Sequence, residues 1–165
     1  MKLFSTLYIK CLFKDYVEAL DWILSDGKFD ETIWDNKNKV QAFTKALHKM
    51  KGFSPDVLFY GAKKDINFPS KGSYRKHEVP SIYMAKGESE ARDLVRHIRN
   101  GIAHGNIELY EVDGVVIAEI LDFGKDGNSA SGQTAYLLIP LTYLINIYTL
   151  YHQKEKSWKK GGKKK

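Results

Sequence analysis

The stretch from Glu88 to His104 constrains the fold of this chain more than any other. At about 100° per residue, its large apolar side chains fall on one face and its charged and polar side chains on the other. This pattern predicts an amphipathic helix with one side in the core and the other side exposed or at an interface. The polar side is expected to hold Arg92, Asp93, Arg96, His97, Arg99, Asn100 and His104.

Two glycines mark the end of this helix, Gly101 and Gly105. Gly105 suits the left-handed residue that commonly follows a helix. Gly101 lies inside the last turn, where glycine lowers helix stability by roughly 1 kcal/mol relative to alanine. A helix that keeps a glycine there is expected to need the close approach of a ligand or of a second backbone.

Arg99, Asn100 and His104 gather near the end of the helix and are the candidate catalytic residues. An arginine stays protonated and can hold two phosphate oxygens, whereas a histidine titrates near neutral pH and can act as a base or an acid. An asparagine can orient the histidine or the phosphate by hydrogen bonding. Together these groups can bind a phosphodiester and move protons around it without a metal ion.

Four further residues are candidate substrate contacts: Arg96, His97, Arg75 and Lys76. An exposed arginine is more often a solvated charge, and a histidine near a helix C-terminus can simply stabilise the helix dipole, so these alternatives stand for Arg96 and His97. Arg75 and Lys76 follow Tyr74, so the two cations could hold phosphate beside a base stacked on the ring. The alternative for this pair is a solvated, mobile loop.

The run Ile-Arg-Asn-Gly-Ile-Ala-His-Gly at 98–105 resembles the signature of HEPN domains, in which Arg-Asn-x-x-x-His stands near the end of an amphipathic helix. The resemblance is sharp over the motif and architectural elsewhere. It implies a mainly α fold, a bundle of about four to five helices with a small β-hairpin or sheet insert after the motif helix. It also implies a homodimer in which two motifs face each other and act as a metal-independent endoribonuclease.

Cleavage by this route would begin with attack of the RNA 2′-hydroxyl and would leave a 2′,3′-cyclic phosphate and a 5′-hydroxyl. Such an enzyme would be a toxin or an antiviral defence effector. The main alternative is a non-catalytic HEPN dimer that binds RNA, a nucleotide or a partner protein such as an antitoxin. A third interpretation is a helical protein whose Arg99 and His104 only form a dimer interface.

The composition of the chain limits which cofactors, partners and locations are expected for it. The chain has 26 basic and 20 acidic residues, but six lysines lie in 156–165, so the rest of the chain is neutral. We expect a single domain over residues 1–155 followed by a flexible lysine-rich tail. The single cysteine and the absence of phosphate-loop or dinucleotide motifs predict no metal, no cofactor and no disulfide. A cytoplasmic protein without a membrane segment is expected, because no long apolar run occurs.

The remaining secondary structure is predicted from periodicity and turn residues. Asp113-Gly114 favours a two-residue hairpin turn. The expected elements are helices over 4–25, 30–51 and 54–60, a long loop over 61–87 with a helical turn near 82–84, strands over 107–112, 115–121 and 133–139, and a final helix after Pro140.

Overall fold

The computed structural model of the chain describes residues 16–25, 34–50, 53, 58–124 and 132–161. Its helices are α1 (16–24), α2 (Lys37–His48), α3 (Glu90–Ala103) and α4 (Thr142–Gly161). Its strands are β1 (Leu58–Gly61), β2 (Ser81–Ala85), β3 (Ile107–Val112), β4 (Val115–Asp122) and β5 (Ala135–Pro140). Two short 3-10 helices, Lys63–Asp65 and Tyr74–Lys76, lie between β1 and β2.

The five strands form one mixed sheet in the order β1-β2-β5-β4-β3. The β1 and β2 strands are parallel, and the other three pairs are antiparallel. The hairpin between β3 and β4 turns at Asp113 and Gly114, which have φ angles of 51° and 80°. Positive φ at both central residues is the geometry that matches the twist of paired strands, so the predicted turn is confirmed.

The expected mainly α bundle is wrong, because a five-stranded sheet forms the centre of the described chain. The short helix predicted over 54–60 is also wrong where it is described, since β1 begins at Leu58. The turn predicted near 82–84 is part of β2. In β2, Ile82 and Met84 enter the core while Tyr83 points to the other face, but an alternation this short cannot be distinguished from a helical turn by periodicity.

All four helices pack on one face of the sheet. The residues that fill this side include Trp22 of α1, Phe43 of α2, Ile98 of α3 and Tyr151 of α4. The ring centroids of Trp22 and Tyr151 are 4.6 Å apart. This layer holds α3 against the middle of the sheet and therefore positions the end that carries Arg99 and His104.

The segment between β1 and β2 covers the opposite face of the sheet. Phe68 and Tyr74 pack there against Leu121, Tyr136 and other buried strand residues. With helices on one face and this segment on the other, the central strands are buried on both sides. Because this segment buries the second face of the central strands, the stretch predicted as a long loop is anchored to the sheet.

Several other expectations are confirmed, including the helix ending near His104, the strands over 107–112, 115–121 and 133–139, and the final helix. The second helix begins later than expected, at Lys37, because the Asn36 side chain accepts hydrogen bonds from the backbone N–H groups of Asn38 and Lys39. Helix α4 continues to Gly161 and so includes the first part of the lysine-rich tail.

The predictions for residues 4–15, 26–33, 54–57 and 162–165 lie outside the described residues. Within the described ranges, none of the helices is both long enough and apolar enough to cross a membrane.

Candidate active site

The C-terminal end of α3 lies directly on β4. A Cβ atom added to Gly101 would lie 2.3 Å from Cγ2 of Ile120 and 2.9 Å from the carbonyl oxygen of Leu121. The expected close approach of a second backbone is therefore confirmed, and the partner is a sheet strand. Asn106 extends the contact, since its N–H donates to Gly101 and its carbonyl accepts from Leu121.

His104 caps α3 and presents its imidazole to solvent. The helix ends at Ala103, and Gly105 takes a φ of 70°, the left-handed conformation that the sequence predicts. The His104 side chain is exposed and has no hydrogen-bond partner in the part of the chain that is described. Its ring nitrogens are therefore accessible to a bound molecule.

Arg99 and Asn100 are joined by a hydrogen bond between adjacent side chains. Nη1 of Arg99 donates to Oδ1 of Asn100 over 2.8 Å. The Arg99 side chain is half-buried, and its Nε is shielded from solvent without a partner among the described residues. The described residues also offer Arg99 no ion pair, so most of its donors remain available.

Asp122 at the end of β4 connects Asn100 to the sheet, and sequence reasoning missed it. Its Oδ2 accepts from Nδ2 of Asn100 over 3.1 Å and from Nδ1 of His97 over 2.7 Å. Its Oδ1 accepts from the N–H of Gly124 over 3.1 Å. Burial by itself would raise the pKa of Asp122, but the hydrogen bonds from His97, Asn100 and Gly124 outweigh it and lower the pKa.

His97 is buried between α3 and the sheet rather than exposed on the polar face. Its Nε2 lies 3.4 Å from the carbonyl oxygen of Ala85, so both ring nitrogens face oxygen acceptors of the protein. Asp93 on the same side of α3 is also buried. The expectation that the polar face is exposed or at an interface is wrong at these two positions, because other elements of the same chain pack over the start and middle of α3.

Arg96 contacts carboxylates near the start of the helix. Its guanidinium bonds to Asp93 and also lies 3.4 Å from Glu88. The buried Asp93 carboxylate accepts in addition from the Tyr60 hydroxyl over 2.7 Å and from the N–H of Gly87 over 2.7 Å. Arg96 is thus part of a connection between the start of α3 and β1.

A cavity of about 620 Å³ opens between α2 and the start of α3. Its lining includes Trp34, Lys45, His48 and Arg92. Helix α3 has 14 residues, so this cavity and His104 lie about 20 Å apart along its axis. This cavity is therefore separate from the motif.

Arg75 and Lys76 lie on the face of the sheet opposite α3. Nε of Arg75 donates to the Tyr74 hydroxyl over 2.9 Å, and the Tyr74 ring stacks on Tyr110 with centroids 3.7 Å apart. The sheet separates this basic and aromatic cluster from His104. The structure brings together Arg99, Asn100 and His97, and leaves Arg75 and Lys76 outside that group.

The described ranges contain no group of three or more His, Cys, Asp or Glu side chains placed to hold a metal ion. Asp122 could not be found by local pattern, because it lies 22 residues from Asn100 and meets it only where α3 packs on β4. A second carboxylate at the end of a largely apolar strand was the available signal.

The family model described as HEPN pEK499 p136 matches residues 24–156 of the chain, well over half of its 165 residues. The matched region includes Arg99, Asn100, His104 and Asp122. Neither the curated proteins nor the solved structures gave a match.

Proposed function

The chain belongs to the HEPN pEK499 p136 family, and we propose that it is an endoribonuclease that cleaves RNA without a metal ion. Family membership associates it with nuclease or RNA-related function. The observation that supports cleavage is a contrast within α3. Arg92, Arg96 and His97 each lie beside a carboxylate, whereas Arg99 and His104 have none among the described residues.

In the proposed reaction, His104 accepts the proton of the RNA 2′-hydroxyl. The 2′-oxygen then forms a bond to phosphorus while the bond from phosphorus to the 5′-oxygen breaks. The 5′-oxygen takes up a proton from a general acid and leaves as a hydroxyl, and the other product is a 2′,3′-cyclic phosphate. Arg99 stabilises the negative charge on the phosphoryl oxygens, and Asn100 orients Arg99.

The reaction needs both a base and an acid, and one protomer offers a single exposed histidine at this end of α3. We therefore propose a homodimer in which the ends of two α3 helices meet, so that each site holds two His104 side chains. An exposed helix end is compatible with such an approach. A ribonuclease of this kind would serve as a toxin or defence effector and would need a partner protein to restrain it.

The other predicted substrate contacts contribute to RNA binding or cleavage to different degrees in this proposal. Arg96 would have to leave Glu88 before it reached a phosphate, so we expect it to contribute less than Arg99. His97 is buried and would act through Asp122. Arg75 and Lys76 would hold a part of the RNA away from the cleaved bond, since the sheet separates them from α3.

The test is cleavage of end-labelled RNA in excess EDTA by wild type, His104→Ala and the control His77→Ala. His77 lies on the opposite face of the sheet, near Tyr136. We expect His104→Ala to reduce the rate about 100-fold or more with RNA binding retained, and His77→Ala to leave it unchanged. A 5′-phosphate product or a requirement for Mg²⁺ would refute the proposal.

The non-catalytic alternative predicts a different result in the same assay. A module that only binds RNA, a nucleotide or a partner would show no cleavage by wild type, with RNA binding that depends on Arg99. An enzyme would instead show a rate that disappears with His104. The two functions are therefore separated by the rate of the wild-type protein.

A further inference from the structure

We propose that Asp122 is a positioning residue that orients Asn100 and, through it, the guanidinium of Arg99. The inference rests on the proposed function, because it assigns Arg99 to the reacting phosphate. It extends the site from α3 to the end of β4. The three residues form a chain of hydrogen bonds from the carboxylate to the amide and from the amide to the guanidinium.

The Asp122 carboxylate is buried, and both of its oxygens accept hydrogen bonds. It is 4% exposed, and its two oxygens accept from Asn100, His97 and the backbone of Gly124. Three donors from α3 and from the residues after β4 fix both the position and the rotation of the carboxylate. A fixed carboxylate is a suitable reference for a neighbouring polar group.

The orientation of the Asn100 carboxamide follows from the chemistry of its two neighbours. The ionised Asp122 carboxylate only accepts hydrogen bonds, so it selects the amide nitrogen of Asn100. The Arg99 guanidinium only donates, so it selects the amide oxygen. Rotation of the amide by half a turn would oppose oxygen to oxygen and N–H to N–H, and Asp122 therefore determines which atom faces Arg99.

This arrangement restrains Arg99 without neutralising it. A direct bond from Arg99 to a carboxylate would occupy the donors that a phosphate needs. The neutral amide of Asn100 instead holds Nη1 at 2.8 Å, and Nε has no partner among the described residues. The guanidinium is positioned at one corner, its Nε is shielded from solvent, and the remaining Nη donors can face the substrate.

A purely structural role for Asp122 would also destabilise the protein when it is removed, so the experiment needs a matched control. Glu119 provides one, because it lies on the same strand, is 0% exposed and accepts from Gly72, Tyr110 and Tyr136. Its side chain points to the other face of the sheet and does not contact α3. We therefore compare Asp122→Asn with Glu119→Gln.

We expect both variants to lose stability, and only Asp122→Asn to lose about 10-fold to 100-fold in kcat, with a smaller change in KM, because a misplaced group slows chemistry more than binding. The double variant Asn100→Ala with Asp122→Asn tests the connection, because Asp122 is proposed to act on Arg99 only through the Asn100 amide. We expect Asp122→Asn to cause little further loss of kcat once that amide is absent, which a purely structural role does not predict.

Equal kcat losses in Asp122→Asn and Glu119→Gln, or fully additive losses in the double variant, would overturn the inference. If wild type cleaves, His104→Ala is inactive and Asp122→Asn keeps its full kcat, the inference fails while the proposed function stands. If wild type does not cleave, NMR of the Arg99 guanidinium decides. Its rotation should become faster in Asp122→Asn and stay slow in Glu119→Gln, and an unchanged Arg99 signal in Asp122→Asn would refute the positioning role.

Discussion

A buried aspartate lies at each end of α3, Asp93 on the helix itself and Asp122 on β4. The two aspartates contact the neighbouring arginines in different ways. Asp93 bonds directly to Arg96, together with Tyr60 and Gly87. Asp122 reaches Arg99 only through the amide of Asn100. The difference teaches that a carboxylate bonded directly to an arginine occupies its donors and balances its charge. A carboxylate that acts through a neutral amide can orient an arginine and leave its charge available.

The largest expected effect comes from removing each arginine in turn. Arg99→Ala should lower the cleavage rate about 100-fold, because it removes the group that stabilises charge on the phosphate. Arg96→Ala should change the rate only slightly, since its guanidinium is engaged by Asp93 and Glu88. Single-turnover cleavage of labelled RNA measures both. If Arg96→Ala proved as damaging as Arg99→Ala, the contrast between the two ends would be lost.

Gly101→Ala should disturb the end of α3 that carries the site. The added methyl group meets Ile120 and the backbone oxygen of Leu121, and overpacking of this kind destabilises by about 2 kcal/mol. The control is Gly61→Ala at the end of β1, where a Cβ meets nothing within 4 Å. Urea denaturation of the two variants compares them, and equal midpoints would contradict the close packing of α3 on β4.

Tyr60→Phe should affect stability and leave cleavage unchanged. The variant removes the hydroxyl that donates to the buried Asp93 carboxylate, and the loss of a hydrogen bond to a charged group lowers the free energy of unfolding by about 1.5 kcal/mol. Tyr148→Phe is the control, because its hydroxyl lies 3.4 Å from Glu18 at an exposed position. A drop in cleavage rate with Tyr60→Phe would connect the start of α3 to the chemistry.

The smallest expected effect is the pH dependence of the contribution that Asp122 makes to the free energy of unfolding. Its pKa is lower in the folded protein than the usual 3.8, so the unfolded chain takes up the proton first as the pH falls. The stabilisation is therefore fully present above pH 3.8 and is lost as the pH falls through the folded pKa. The difference in free energy of unfolding between wild type and Asp122→Asn should narrow below this pH. A constant difference would show that the carboxylate charge does not contribute.

The sequence allowed α3 and its end to be predicted because the information is local. The amphipathic period, Gly105 after the helix and Asp113-Gly114 in the hairpin each act on neighbouring residues. Arg99, Asn100 and His104 follow from the same helix. The candidate site was therefore predictable as far as it lies on one element.

The strands β1 and β2 and the role of Asp122 were not predictable in this way. The region around β2 carries Pro80 and Gly87 within a few residues of the strand, and these residues are typical of loops. Whether such a stretch becomes a central strand depends on what covers its faces. Asp122 meets Asn100 only after β4 and α3 have packed, and no local pattern contains that contact.

Strand β4 directs two buried carboxylates to opposite sides of the sheet, Glu119 toward the covering segment and Asp122 toward α3. Because side chains alternate along a strand, a slip of one residue in its pairing would turn both carboxylates to the wrong side. The pairing register of β4 therefore determines both the orientation of the candidate site and the contacts of the segment between β1 and β2. Misfolded molecules with shifted pairing would carry an intact motif and still lack an oriented arginine.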